Sequence, residues 1–180
     1  MKKTVKLPDD FFLGAAASAW QTEGWFGKKE HQDSYIDLWY KENKNVWHNG
    51  YGPAIATDYY HRYQEDIGYM KDIGMNCYRT SLNWSRFLTD YENVVVDEDY
   101  AAYYDKMLDE MIAQGIEPMV CLEHYEIPRE LFEKYDGFAS KHVVELFVKY
   151  ARKAFERFGH KVKYWFAFNE PVVVQTRIHL

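Results

Sequence analysis

Long apolar runs, cysteine pairs and clusters of basic residues are all missing from this 180-residue chain. No stretch approaches the ~20 consecutive apolar residues that a membrane-spanning helix needs, so no membrane partner is expected. Lys and Arg number 22 against 28 Asp and Glu, a formal net charge of −6. Phosphate recognition rests on a clustered cationic excess, so no nucleic-acid partner is expected either. The two cysteines, Cys77 and Cys121, lie in apolar stretches without a CxxC pair or a histidine at ligand spacing. They read as free buried thiols of a reducing compartment. Met1-Lys2-Lys3 imitates the start of a secretory signal, but Pro8-Asp9-Asp10 interrupts it and the apolar run that follows extends only from Phe11 to Trp20. A cytoplasmic location is therefore expected. There is no Pro/Gly/Ser-rich linker or low-complexity tract, and residues 1–180 are read as one unit without an internal boundary. Aromatic residues are abundant instead: 16 Tyr, 11 Phe and 6 Trp. Most are expected to pack in the core, while a minority can serve as flat platforms for sugar faces or bases.

Short apolar runs alternate with amphipathic helices. The first run is Phe11 to Ser18, and a short helical piece follows near Ser34 to Lys41. Thr57 reads as the N-cap of a helix that turns Tyr60, Tyr63, Ile67 and Met70 inward and stops at Gly74. Met75 to Thr80 reads as a buried strand. Asp97 precedes the next helix, with Tyr100, Tyr104, Met107 or Leu108, and Met111 inward; Gly115 ends it and Ile116 to Leu122 is the third strand. Ser140 caps a helix with Val144, Phe147, Ala151, Ala154 and Phe158 inward, Gly159 stops it, and Val162 to Phe168 is the fourth strand. An opening strand followed by three helix–Gly–strand cycles is β(αβ)₃, and continuous apolar strands suit a parallel sheet covered by helices. No GxGxxG follows any strand, which disfavours a dinucleotide-binding fold. The expected fold is a parallel (β/α) barrel of the TIM type. A full (β/α)₈ barrel takes ~250 residues, so about four β/α units, the first half, are expected in this chain.

Active sites of such barrels lie at the C-terminal ends of the strands. Those positions hold Gln21 and Glu23 after strand one, and Arg79, Asn83 and Trp84 after strand two. Glu123, His124 and Glu126 follow strand three, and Asn169 and Glu170 follow strand four. Amides and carboxylates can chelate vicinal hydroxyls and Trp can stack on a sugar face, so this set suits a polyhydroxylated substrate. Glu170, at the end of an apolar strand, is expected to be partly desolvated, which raises its pKa and lets it protonate a glycosidic oxygen. The same residue could instead cap or salt-bridge the next segment. Glu123, His124 and Glu126 are disfavoured as metal ligands, because neighbours in a strand point to opposite faces; a substrate hydrogen bond from His124 is preferred, and no metal or other cofactor is expected. Arg79 is expected to pair with a carboxylate in the barrel mouth.

FFLGAAASAWQTEGWF (11–26), YRTSLNWSR (78–86), CLEHYEIP (121–128) and WFAFNEP (165–171) stand in the order and spacing of glycoside hydrolase family 1, which the chain resembles from Leu7 onward. The resemblance implies a retaining β-glycosidase on a (β/α)₈ barrel. It makes Glu170 the acid/base and Asn169 the group that holds the sugar 2-hydroxyl. It makes Gln21 and His124 hydrogen-bonding groups of the sugar subsite, and Arg79 the residue that orients the nucleophile. Trp20 stands where Tyr or Asn is commoner in the family, and Tyr125 where Trp or Phe is usual. Overall similarity favours the bacterial 6-phospho-β-glucosidase branch, with a β-glucoside or a phosphorylated disaccharide as substrate. The family's nucleophile motif, of the Thr/Ile-Glu-Asn-Gly type, does not occur in this sequence. The chain is therefore expected to be an N-terminal half that is inactive alone and either self-associates or pairs with the missing half; a non-catalytic sugar-binding or structural half-barrel is the alternative.

Overall fold

The computed structural model describes residues 5–172; residues 1–4 and 173–180 lie outside the described residues. The chain opens with strand β1 (Gly14–Ala16), helix α1 (Ala19–Thr22), helix α2 (Tyr35–Glu42) and helix α3 (Tyr59–Asp72). Strand β2 (Cys77–Ser81), helix α4 (Trp84–Phe87), strand β3 (Leu88–Asp90), strand β4 (Val95–Val96) and helix α5 (Glu98–Ala113) follow. Strand β5 (Glu117–Glu123), helix α6 (Arg129–Tyr135), helix α7 (Lys141–Phe158) and strand β6 (Tyr164–Phe168) complete it. The main sheet runs β1-β2-β5-β6, every pair parallel, and β3-β4 is a separate antiparallel hairpin. Spatial order follows chain order without reversal, as a barrel requires and a doubly wound sheet does not. In register, Ser81 lies beside Cys121 and Glu123 beside Phe168, so β2, β5 and β6 end on one rim.

Local sequence explains the helix boundaries. Ser34 and Asp37 form a reciprocal capping box at the start of α2. Asp97 accepts the Asp99 and Tyr100 N–H groups ahead of α5, and Ser140 accepts the His142 N–H ahead of α7. α3 and α5 end alike. After α3, Gly74 (φ +83°) donates to Lys71 O and Met75 donates to Met70 O; after α5, Gly115 (φ +76°) donates to Ile112 O and Ile116 to Met111 O. This paired 6→1 and 5→2 bonding needs a left-handed residue, which glycine adopts without a Cβ clash.

Several boundaries differ from the sequence reading. The opening strand is three residues long, and Phe11, Phe12 and Leu13 are exposed. The N-cap of α3 is Asp58, itself left-handed at φ 56°, rather than Thr57. Val144 is 44% exposed, and Val143, Leu146 and Tyr150 are buried in its stead. α7 carries two apolar stripes, one through Val143, Leu146, Phe147, Tyr150 and Ala154 and a second through Val144, Val148 and Phe155; the first faces the sheet. The core beneath it is aromatic, with Trp84 stacked on Tyr150 at 5.1 Å and 14°, and Phe87 against both Tyr150 and Phe158. Leu146→Ala is expected to cost about 2–5 kcal/mol, whereas Val144→Ala costs under about 1 kcal/mol; urea unfolding of the two variants checks which stripe is inside.

Candidate active site

Arg79 lies within β2, and its Nη1 donates to Asn169 Oδ1 at 3.1 Å, reaching past β5 to the end of β6. Its guanidinium also lies 5.1 Å from the Phe166 ring centre. Among the described residues no carboxylate is within ion-pair distance of Arg79, whose side-chain partner there is the Asn169 amide. Asn169 extends the β5–β6 ladder by one bond, its N–H donating to Glu123 O at 2.9 Å. Glu170 follows in the left-handed region at φ 44°, and its Oε2 accepts the Tyr125 hydroxyl at 2.5 Å. Glu170 is exposed, not partly desolvated as the sequence suggested, because it stands beyond the edge strand of the described sheet.

His124 is almost buried, and its Nδ1 has no hydrogen-bond partner among the described residues. Burial, helped by the nearby Arg79 charge and opposed by Glu170, pushes its pKa down to about 4. The imidazole is therefore neutral near pH 7, with one ring nitrogen a donor and the other an acceptor. Arg79, His124, Asn169 and Glu170 thus come together around the ends of β2, β5 and β6. Gln21 is exposed on α1 and shares a cavity of about 680 Å³ with Trp20, Tyr40 and the segment 50–57. Its neighbour Trp20 donates its N–H to Glu126 Oε1 at 2.8 Å, which ties α1 to the turn after β5.

Three carboxyl groups at strand ends have other duties. Glu126 Oε1 also accepts the Ser81 hydroxyl at 2.9 Å, and Ser81 Oγ accepts the Ala19 N–H at 2.8 Å, so one buried carboxyl joins the segments after β1, β2 and β5. Burial holds the Glu126 pKa well above the carboxylate range. Glu23 bonds Arg86 at 3.0 Å and the Tyr100 hydroxyl, all buried; desolvation pushes it up to about 7 against the pull of Arg86. Glu123 Oε1 accepts the Glu126 N–H at 3.0 Å while Oε2 is unpartnered, and burial pushes this group up to about 8. Trp84, fully buried, offers no sugar platform, and Asn83 caps α4. Ser81 and Asp37 escaped the sequence reading, which marked Tyr125 only as standing where Trp or Phe is usual. Asp37 accepts both the Trp20 and Trp25 indole N–H groups, at 3.0 and 2.7 Å, and so sets the Trp20 ring. A capping-box carboxylate close to several Trp residues was the available signal. No group of three or more His, Cys, Asp or Glu suited to a metal ion occurs among the described residues, and none of their helices is long and apolar enough to cross a membrane.

A (β/α)-barrel sheet with amide, imidazole, guanidinium and carboxyl groups on its C-terminal rim defines the class. The chain belongs to glycosyl hydrolase family 1, whose family model matches residues 3–180. It is 41% identical to "Beta-glucosidase 24" of rice over 167 residues, 92% of this chain and 33% of that protein. It is 37% identical to the "6-phospho-beta-glucosidase GmuD" of Bacillus subtilis, covering 93% of this chain and 36% of that one. Solved structures of a rice β-glucosidase (34% identity, TM-score 0.86) and an aphid myrosinase (31%, 0.86) superpose on 94% of this chain and on 35% and 37% of theirs. The chain therefore spans about a third of the length of the curated relatives it matches.

The three raised carboxyls carry a pH signature. A group whose folded pKa exceeds its unfolded value of 4.5 keeps its proton in the fold after the unfolded chain has released it. Stability is therefore lost as pH rises from about 4.5, and for Glu123 the loss is complete above about 8. Thermal unfolding at pH 5 and pH 8 should show that fall, and Glu123→Gln should flatten part of it.

Proposed function

We propose that this chain forms the acid/base part of a retaining β-glucosidase of family 1, in one continuous half-barrel. The observation that carries the reading is the cluster at the rim, where Glu170 stands one residue beyond Asn169 and within electrostatic reach of His124. Glu170 protonates the leaving oxygen and later draws a proton from water. Asn169, held by Arg79, presents its amide to the sugar 2-hydroxyl, and neutral His124 and exposed Gln21 bond other hydroxyls. Arg79 also orients the nucleophile. A retaining mechanism needs a second carboxyl ~5–5.5 Å from the first, and here it is supplied by the remaining β/α units. Two Bacillus subtilis relatives, one of them the "Aryl-phospho-beta-D-glucosidase BglA", favour a cytoplasmic enzyme for 6-phosphorylated β-glucosides. Better kcat/KM on cellobiose than on its 6-phosphate would return the substrate to plain β-glucosides.

In a protein that joins this chain to the rest of its barrel, Glu170→Gln should lower turnover of alkyl β-glucosides by about 10²–10⁴-fold. Nitrophenyl glucosides, whose leaving groups need little protonation, should lose much less in the glycosylation step. Equal losses would remove Glu170 from the acid role.

Expressed alone, the chain should be inactive and should associate with a second copy or with the missing half. β1 and β6 each have one unpaired edge among the described residues, and Tyr164 and Phe166 are exposed on β6. Free edges of this kind recruit further strands. Sedimentation velocity checks the claim, and a stable monomer would refute it.

A further inference from the structure

We propose that Tyr125 is a positioning residue for the Glu170 carboxyl, a role that rests on the reading of Glu170 as the acid/base. The phenol donates to Oε2 across 2.5 Å, the short end of the range for a hydroxyl on a carboxylate. Two residues 45 positions apart meet here, and both hold left-handed backbone, Tyr125 at φ 70° and Glu170 at φ 44°. A bulky side chain in that region is sparsely populated and persists only where its surroundings over-determine it. On the Tyr125 side the surroundings are explicit. Glu126, the next residue, is bonded through its side chain to Trp20 and Ser81 and through its N–H to Glu123. The turn is thus anchored and aims the phenol across the rim at an otherwise exposed carboxyl.

The contact leaves Oε1 for the substrate. In the first step the Oε1 proton passes to the glycosidic oxygen as the bond from that oxygen to the anomeric carbon breaks. The oxygen keeps the bonding pair, and the anomeric carbon is taken by the second carboxylate. Glu170 is left with the electron pair of its O–H bond, and the Tyr125 hydroxyl is already aimed at the charge that appears. A donor in place before the charge develops stabilises the transition state more than the ground state. The benefit scales with how much proton transfer the leaving group demands.

Two measurements test this. In the chain itself, ¹³C NMR of Tyr125→Phe should move the Glu170 Cδ resonance, and Glu170→Gln should move the Tyr125 Cζ resonance. If neither moves, the contact is refuted. In the complete barrel, Tyr125→Phe should lower kcat on alkyl β-glucosides about tenfold, the size of one charge-assisted hydrogen bond. KM should stay within about twofold, and nitrophenyl glucosides should lose less. Equal losses on both substrates, or a rise in KM alone, overturn the positioning role. Tyr125→Asn, whose side chain tolerates positive φ, should match the kinetic defect without loss of thermal stability, which separates the hydroxyl from the fold. A wild-type barrel without turnover on either substrate would refute the reading of the site, while the NMR shifts would still decide the contact.

Discussion

Glu126 accepts a backbone N–H from the segment after β1 and a hydroxyl from the end of β2, while its own N–H bonds the last residue of β5. The rim depends on this one buried carboxyl. Parallel strands fix which residues reach the same level, but they leave the segments beyond them free to splay. The Glu126 bonds close that freedom at three strands at once. A buried carboxyl stripped of either partner would leave an unmet polar group, at roughly 1–3 kcal/mol. Gln21, one residue past Trp20, and His124, two before Glu126, take their places from the same clamp.

Around it the protein tolerates a concentration of buried acid. Glu23, Glu123 and Glu126 all have raised pKa values with desolvation as the leading cause, and only Glu23 has a buried cation against it. Holding Glu123 and Glu126 neutral avoids two repelling charges near the rim, and it leaves Arg79 to set the local potential. That potential, with burial, keeps His124 uncharged. Around His124 the rim thereby offers uncharged hydrogen-bonding groups beside the Arg79 guanidinium.

Much of this was legible in the sequence. Ser34, Asp97 and Ser140 mark helix starts because a short polar side chain ahead of an apolar period has one best use, and Gly74 and Gly115 mark ends for the complementary reason. The strands and their parallel order followed from the same punctuation, and strand ends offered ten rim candidates, from which the family resemblance singled out Gln21, Arg79, His124, Asn169 and Glu170. What stayed hidden was set by tertiary context. Val143 and Val144 are adjacent and equally apolar, so only the position of the sheet decides which one is buried. β3 and β4 are too short to show a period. Glu23, Trp84 and Asn83 occupy strand-end positions as plausibly as Glu170 does, and nothing local reveals that Arg86, Tyr150 and α4 claim them. Tyr125 stands out in the sequence only as a departure beside His124, and nothing local shows that its left-handed backbone brings it to Glu170.

The sheet order β1-β2-β5-β6 repeats the order of the chain, and each strand of that sheet bonds to the sheet strand made before it. A ribosome releasing this polypeptide from its N-terminus would present every new strand with a finished template. The growing edge is then always the most recently made strand of the sheet. Hydrophobic intermediates that would aggregate in dilution from denaturant need never be exposed together during synthesis. Vectorial assembly of this kind suits a barrel, whose closing contact joins its first strand to its last.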